Sequence, residues 1–161
     1  GKAKMSKSLG NCIYLSDEPD VIKSKIMSMY TDPTHIRKED PGHTKGNPVF
    51  TYLEAFCNPE HFKEFMPDYK NLDELKAHYE RGGLGDVTVK KFLNNVMQKE
   101  LEIIRERRKM WEQRLPDVYD ILYQGSMKAK TVAANTLEEV KHSMKIDYFE
   151  NKNLLSKENE R

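Results

Sequence analysis

Apolar residues recur at helical spacing through most of the chain, and polar, glycine or proline breaks divide them into segments. Ile22, Ile26, Met29 and Tyr30 form the first stripe. Asp17 precedes it as an expected N-cap, with Pro19 in the first turn and Asp20 placed to reach back as in a capping box. Thr31-Asp32-Pro33 stops that helix. The stretch 31–48 contains Pro33, Pro41, Pro48 and two glycines, and reads as an irregular linker. Val49, Tyr52, Leu53 and Phe56 mark a short helix. Asn58-Pro59 restarts the chain as cap plus first-turn proline, followed by Phe62, Phe65 and Met66. Asn71 with Glu74 is another capping-box pair, and its helix is expected to end at Gly82-Gly83.

Gly85-Asp86 opens the longest periodic segment, with Asp86 read as its N-cap. Val89, Leu93, Met97, Leu101, Ile104, Trp111 and Leu115 keep to one face, and Arg108 is the single gap. This predicts an amphipathic helix of up to ~28 residues, about 42 Å long. On that face Trp111 reads as core. Pro116 ends or kinks the helix. A short helix over 118–123 stops at Gly125, and a last one from Ser126 to about Lys145 is expected to bury Ala129, Ala133, Leu137, Val140 and Met144. No segment reads as a sheet and no internal repeat is visible. The pattern predicts an all-α helical bundle behind an N-terminal loop. Residues 1–16 are the loop, 17–150 the helical domain and 151–161 a polar, frayed tail.

Composition narrows the class. Lys and Arg total 27 against 26 Asp and Glu, for a net charge of +1, which excludes a polycation and an acidic tail protein. No apolar run approaches the ~20 residues that span a bilayer, and no signal-peptide pattern occurs, so a soluble cytoplasmic protein without membrane association is expected. Cys12 and Cys57 are too few for a disulfide framework and too far apart for a zinc pair. The histidines at 35, 43, 61, 78 and 142 show no metal-site spacing, so no resident metal is expected. Gly82, Gly83 and Gly85 read as helix punctuation, since no lysine–serine pair follows them. The chain opens on Gly1 and enters a dense polar motif at once, which reads as a piece of a longer protein.

That motif is Lys4-Met5-Ser6-Lys7-Ser8-Leu9-Gly10-Asn11. It sets two ammonium groups and two hydroxyls on a strip ending in glycine. Such a strip can close on a polyphosphate, with lysines on phosphate oxygens and backbone N–H groups as a cradle. Composition alone fits a solvated basic loop better.

The string KMSKS followed by Leu-Gly-Asn resembles the ATP-binding signature loop of class I aminoacyl-tRNA synthetases. The blocks 13–17, 25–33 and 35–37 are similar to the tryptophanyl-tRNA synthetase family. So are 40–42, 46–47, 81–87, 90–92, 103–108, 125–126 and 136–141. The resemblance runs from Lys2 to about Tyr148 and is nearest the bacterial branch whose loop reads Leu-Gly-Asn, not Asp-Pro-Asn, after KMSKS. It implies a two-step reaction. Tryptophan attacks the α-phosphate of Mg-ATP to give the adenylate, and the tryptophanyl group then passes to tRNA(Trp). It assigns ATP binding to Lys4, Met5, Ser6, Lys7 and Ser8, and the catalytic part to Lys7, which would stabilise the departing pyrophosphate. Asn11 would shape the loop's end without doing chemistry.

The same resemblance implies that the loop closes a Rossmann catalytic domain that is absent here, together with a HIGH-type motif and the tryptophan pocket. This chain alone is therefore expected to be inactive, and its full-length protein to be a homodimer. The helical part would hold the tRNA anticodon arm. Between Val87 and Leu115 there are eight basic residues against four acids. Lys90, Lys91, Arg105, Arg107 and Arg108 are the candidates for tRNA contact, against an ordinary solvated helix face; DNA is not an expected partner. No iron–sulfur site is expected, because no cysteine follows Cys57. Two other readings stay open: a non-catalytic RNA-binding helical module derived from a synthetase, and a fragment of another class I synthetase such as the tyrosyl enzyme.

Overall fold

The computed structural model describes residues 5–148. Six helices follow one another: α1 (Pro19–Met27), α2 (Pro48–Phe56), α3 (Pro59–Phe65), α4 (Leu72–Arg81), α5 (Asp86–Glu112) and α6 (Leu115–Ser143). No strand occurs among the described residues, and the fold is all-α as the periodicity predicts. Lys4 and the tail 151–161 lie outside the described residues. Two compact units divide the chain, one ending at Lys109 and one starting at Met110.

The core of the first unit forms where the apolar stripes of α1 to α5 meet. Ile22, Ile26, Val49, Phe50, Leu53, Phe62, Leu75 and Tyr79 are buried against Val89, Phe92, Leu93, Val96, Met97 and Leu101 of α5. Each such side chain contributes roughly 1.5–3 kcal/mol of transfer free energy. The stripe of α5 is buried only in its first half. Ile104 and Trp111 are exposed, so the periodicity that predicts the helix does not predict how far its core extends.

Helix starts follow local chemistry. Asn47 caps α2 by accepting from Val49 N, with Pro48 in the first turn. Asn58 caps α3 in a box closed by His61, whose Nδ1 accepts from Asn58 N while its Nε2 faces the Glu100 carboxylate at 3.2 Å. Asn71 caps α4 through Glu74 N. Gly82 ends α4 at φ +87°, where a Cβ would lie 2.2 Å from the Glu39 carbonyl oxygen, so only glycine fits.

Two local expectations are corrected. Asp17 is not the cap of α1. Glu18 holds that position without a side-chain cap, and Asp17 turns back to the N-terminal loop, because Tyr14 N and Lys25 offer it stronger partners. Asp86 is the first residue of α5, not its cap, and accepts from the Tyr79 hydroxyl at 3.0 Å.

The segment 31–47 lacks regular structure, as expected, and Pro48 already opens α2; the segment is nonetheless tied together. The buried Asp32 carboxylate accepts from Thr34 N, Thr34 Oγ1, His43 N and His43 Nδ1. The Thr34 hydroxyl above all, together with the other donors, holds that carboxyl far below the usual carboxylate range despite its burial. Gly42 N donates to Tyr79 O and Gly83 N to Lys38 O, which fastens the segment to the end of α4.

In the second unit α6 is one helix of 29 residues. Pro116 sits in its first turn and starts it, and Gly125 lies inside it without breaking it. An interior glycine costs only about 1 kcal/mol, which a helix of this length absorbs. None of the residues of α6 is buried, contrary to the expectation for Ala129, Ala133, Leu137, Val140 and Met144. The described residues of this unit supply no second long element to cover that face. Trp111 is likewise not core; its ring carries the Arg114 guanidinium at 5.1 Å.

Candidate functional site

The loop 5–11 closes on itself. Ser6 N donates to Asn11 Oδ1 at 2.9 Å, Leu9 N to Ser6 Oγ at 3.3 Å, and Gly10 N to Lys7 O at 3.1 Å. The last bond makes a turn over Lys7-Ser8-Leu9-Gly10, and Gly10 takes φ +64°, which a side chain would disfavour. The hydroxyls of Ser6 and Ser8 pair at 3.1 Å. Asn11 thus shapes the loop through its side chain. Lys7 and Ser8 are exposed on the turn, while Met5 reaches back to α2, where Tyr52 donates to its sulfur at 3.1 Å.

The far arm of the loop is anchored more firmly. Asp17 Oδ2 accepts from Tyr14 N at 2.8 Å and pairs with Lys25 at 2.5 Å, and the Lys25 ammonium lies 4.8 Å from the Tyr14 ring centroid. Burial pushes the Asp17 carboxyl up, but Lys25 and the Tyr14 N–H outweigh it and hold it below its ordinary value. Between the loop, α1 and α2 lies a cavity of about 270 Å³ lined by Met5, Gly10, Asn11, Ile13, Lys25 and Tyr52 among others. Arranged this way, the loop can offer the Lys7 ammonium and the exposed Ser8 hydroxyl to an anionic ligand, while the N–H groups of Ser6, Leu9 and Gly10 are engaged within the loop.

The predicted RNA-facing residues do not come together on one face. Lys90 is buried. Its ammonium donates to Met27 O at 3.2 Å, Met29 O at 2.7 Å and Thr31 Oγ1 at 2.8 Å, which caps the C-terminal end of α1. Burial pulls its pKa below the ordinary lysine value, and Asp86 pulls the other way. Lys90 is therefore no phosphate contact, because its donors are already engaged inside the core. Arg105 is half-buried and donates from Nη2 to Gln98 O on its own helix. Lys91, Arg107 and Arg108 are exposed. At about 100° per residue, Arg107 lies roughly 160° around the helix from Lys91, so a single groove cannot take both.

Sequence reasoning missed Tyr52, Asp17 and Lys25 as supports of the loop. Tyr52 sits on the apolar stripe of α2 and reads as core. The Asp17–Lys25 pairing is visible only once α1 brings the two residues together. Among the described residues no group of three or more His, Cys, Asp or Glu side chains could hold a metal ion, and no helix is long and apolar enough to cross a membrane.

Comparison with known proteins gives one consistent result. A family described as tRNA synthetases class I (W and Y) matches residues 1–102. The chain is 60% identical over 151 residues to the tryptophan–tRNA ligase of Clostridium longisporum, covering 94% of this chain and 42% of that protein. It is 53% identical over 149 residues to the tryptophan–tRNA ligase of Lactococcus lactis subsp. lactis (strain IL1403), covering 92% of this chain and 42% of that protein. Among solved structures, tryptophanyl-tRNA synthetase from Campylobacter jejuni is similar with a TM-score of 0.69 and 26% identity, covering 88% of this chain and 42% of that one. A second structure of that enzyme, complexed with ADP and tryptophan, is similar to the same degree. The chain thus spans 42% of the length of the curated relatives it matches.

Proposed function

The chain belongs to the class I tRNA synthetases of the tryptophan and tyrosine type, and from that premise we propose that it is the C-terminal part of a tryptophanyl-tRNA synthetase. The full-length protein uses ATP to activate tryptophan and charges tRNA(Trp). The observation that carries this reading is the loop 5–11, closed into a turn that leaves the Lys7 side chain exposed.

In the first step a tryptophan carboxylate oxygen attacks the α-phosphorus of ATP. The bond to the bridging oxygen breaks, pyrophosphate leaves, and the adenylate remains. The protein does little covalent work here, so positioning and electrostatics dominate. Lys7 meets the charge that builds on the departing pyrophosphate. Lys4, outside the described residues, is its partner cation, with Met5 framing the loop. Ser8 adds a neutral donor. Ser6 contributes through the loop's shape, since its hydroxyl accepts from Leu9 N and pairs with Ser8. Magnesium enters as the counter-ion of ATP. In the second step a terminal ribose hydroxyl of the tRNA attacks the acyl carbon and AMP leaves. The protein acts in the cytoplasm as a homodimer.

The full-length protein is expected to run tryptophan-dependent exchange of pyrophosphate into ATP, and this chain alone is not. RNA binding without exchange by the full-length protein would leave only the non-catalytic module.

For the tRNA, the exposed Arg107 and Arg108 meet phosphates along α5, while Lys91 lies on another side of the helix and Lys90 takes no part. Changing these two to glutamine is expected to weaken tRNA binding and to flatten its salt dependence by roughly 0.7–0.9 in log–log slope for each phosphate left without its cation. A slope equal to that of the wild type returns α5 to a solvated helix.

A further inference from the structure

Resting on the reading of the loop as an ATP clasp, we propose that Tyr52 is a positioning residue for that clasp. Its hydroxyl, donating to the Met5 thioether, holds the N-terminal arm of the loop so that Lys7 is presented in a set place.

Ser6 to Asn11 form one hydrogen-bonded ring, so the segment shifts as a unit and its place is set by its two arms. The C-terminal arm is tied by charged groups, with Asp17 on Tyr14 N and Lys25 on Asp17. The N-terminal arm is tied by the Tyr52 hydroxyl on Met5 Sδ at 3.1 Å. A thioether is a weak acceptor on a flexible, unbranched side chain. That tie positions the arm yet gives way when the lysines meet phosphate, whereas an ionic tie would hold it fast.

Tyr52 is itself well placed. It sits on α2, and its ring lies against Phe56 at a centroid separation of 6.0 Å. Burial, and then the neighbouring Cys12, push its phenol pKa up, so it keeps the proton it donates. Beside it, the cavity lined by Met5, Gly10 and Asn11 leaves the arm room to move. A tyrosine that only filled the core would need its ring and not its hydroxyl.

The test uses the full-length protein with Tyr52→Phe, Met5→Leu and the double variant, read by ATP–pyrophosphate exchange. Each single change is expected to lower the turnover number of exchange by about 2- to 10-fold, the range for losing one modest hydrogen bond, because the Lys7 contact that it sets is made in the transition state. The KM for tryptophan is expected to stay within about two-fold. The double variant is expected to be no worse than the stronger single, because both remove the same bond. An unchanged turnover number in Tyr52→Phe overturns the proposal, as do additive effects in the double variant. A lower thermal midpoint with both kinetic constants intact also overturns it, since that marks a packing role. Lys7→Ala runs beside them. If it cripples exchange while Tyr52→Phe is silent, the positioning role alone fails. If Lys7→Ala is silent too, the ATP-clasp reading fails and the positioning role falls with it.

Discussion

Lys7→Ala in the full-length protein is expected to lower tryptophan-dependent pyrophosphate exchange by about 10²–10³-fold, with tRNA affinity nearly unchanged. The geometry makes this a clean substitution. The backbone carbonyl of Lys7 accepts from Gly10 N, and alanine keeps that bond. The bonds from Ser6 to Asn11 and from Leu9 to Ser6 do not involve the Lys7 side chain, so the loop keeps its shape. What is removed is one ammonium on the exposed side of the turn. If that group meets charge that builds in the transition state, turnover falls with little change in ground-state binding. Lys7→Arg keeps the charge on a wider, planar head and is expected to recover part of the rate. Equal exchange rates for Lys7→Ala and wild type would remove the assigned role.

The second large effect is structural. Lys90→Met is expected to destabilise the first unit by about 1–3 kcal/mol, read as a shift in the denaturant midpoint of this chain. Methionine nearly matches the volume of the lysine stem, so the loss is that of the ammonium. Met27 O, Met29 O and Thr31 Oγ1 are then left without this donor at the end of α1. Lys91→Met, one residue on and exposed, is expected to change stability by no more than about 0.5 kcal/mol. Similar midpoints for the two variants would show that the ammonium adds nothing to the fold.

This pair also marks what the sequence could reveal. Both lysines lie in a basic-looking stretch, and charge counting treats them alike. Lys90 is drawn inward because the end of α1, some sixty positions earlier, brings two carbonyls and a hydroxyl to its tip. No local pattern encodes that meeting. Where the cause is local, the reading succeeds. Asn58-Pro59 and Asn71 each cap the helix expected of them, and Gly82 ends α4 where its backbone needs a glycine. The loop motif is likewise local, and its closing residue Asn11 sits five positions from Ser6. Failures come from competition or from missing neighbours. Asp17 has the composition of a cap, yet Lys25 and Tyr14 N claim its carboxylate. Gly125 has the composition of a stop, yet the turns on either side carry α6 through it. Periodicity reports which face of a helix is apolar, not whether anything covers it; hence α5 is buried only in part and α6 not at all.

The knot at Asp32 has a bearing on how this chain could be altered. The Asp32 carboxylate holds Thr34, two positions on, and His43, eleven positions on. Proline-rich surface stretches ordinarily accept insertions and deletions with ease. Here the distance along the backbone is itself fixed, because adding or removing a residue between Thr34 and His43 would carry a donor out of reach. Graft points, tags and permuted ends are better sought elsewhere, for what looks like slack is a drawn stitch.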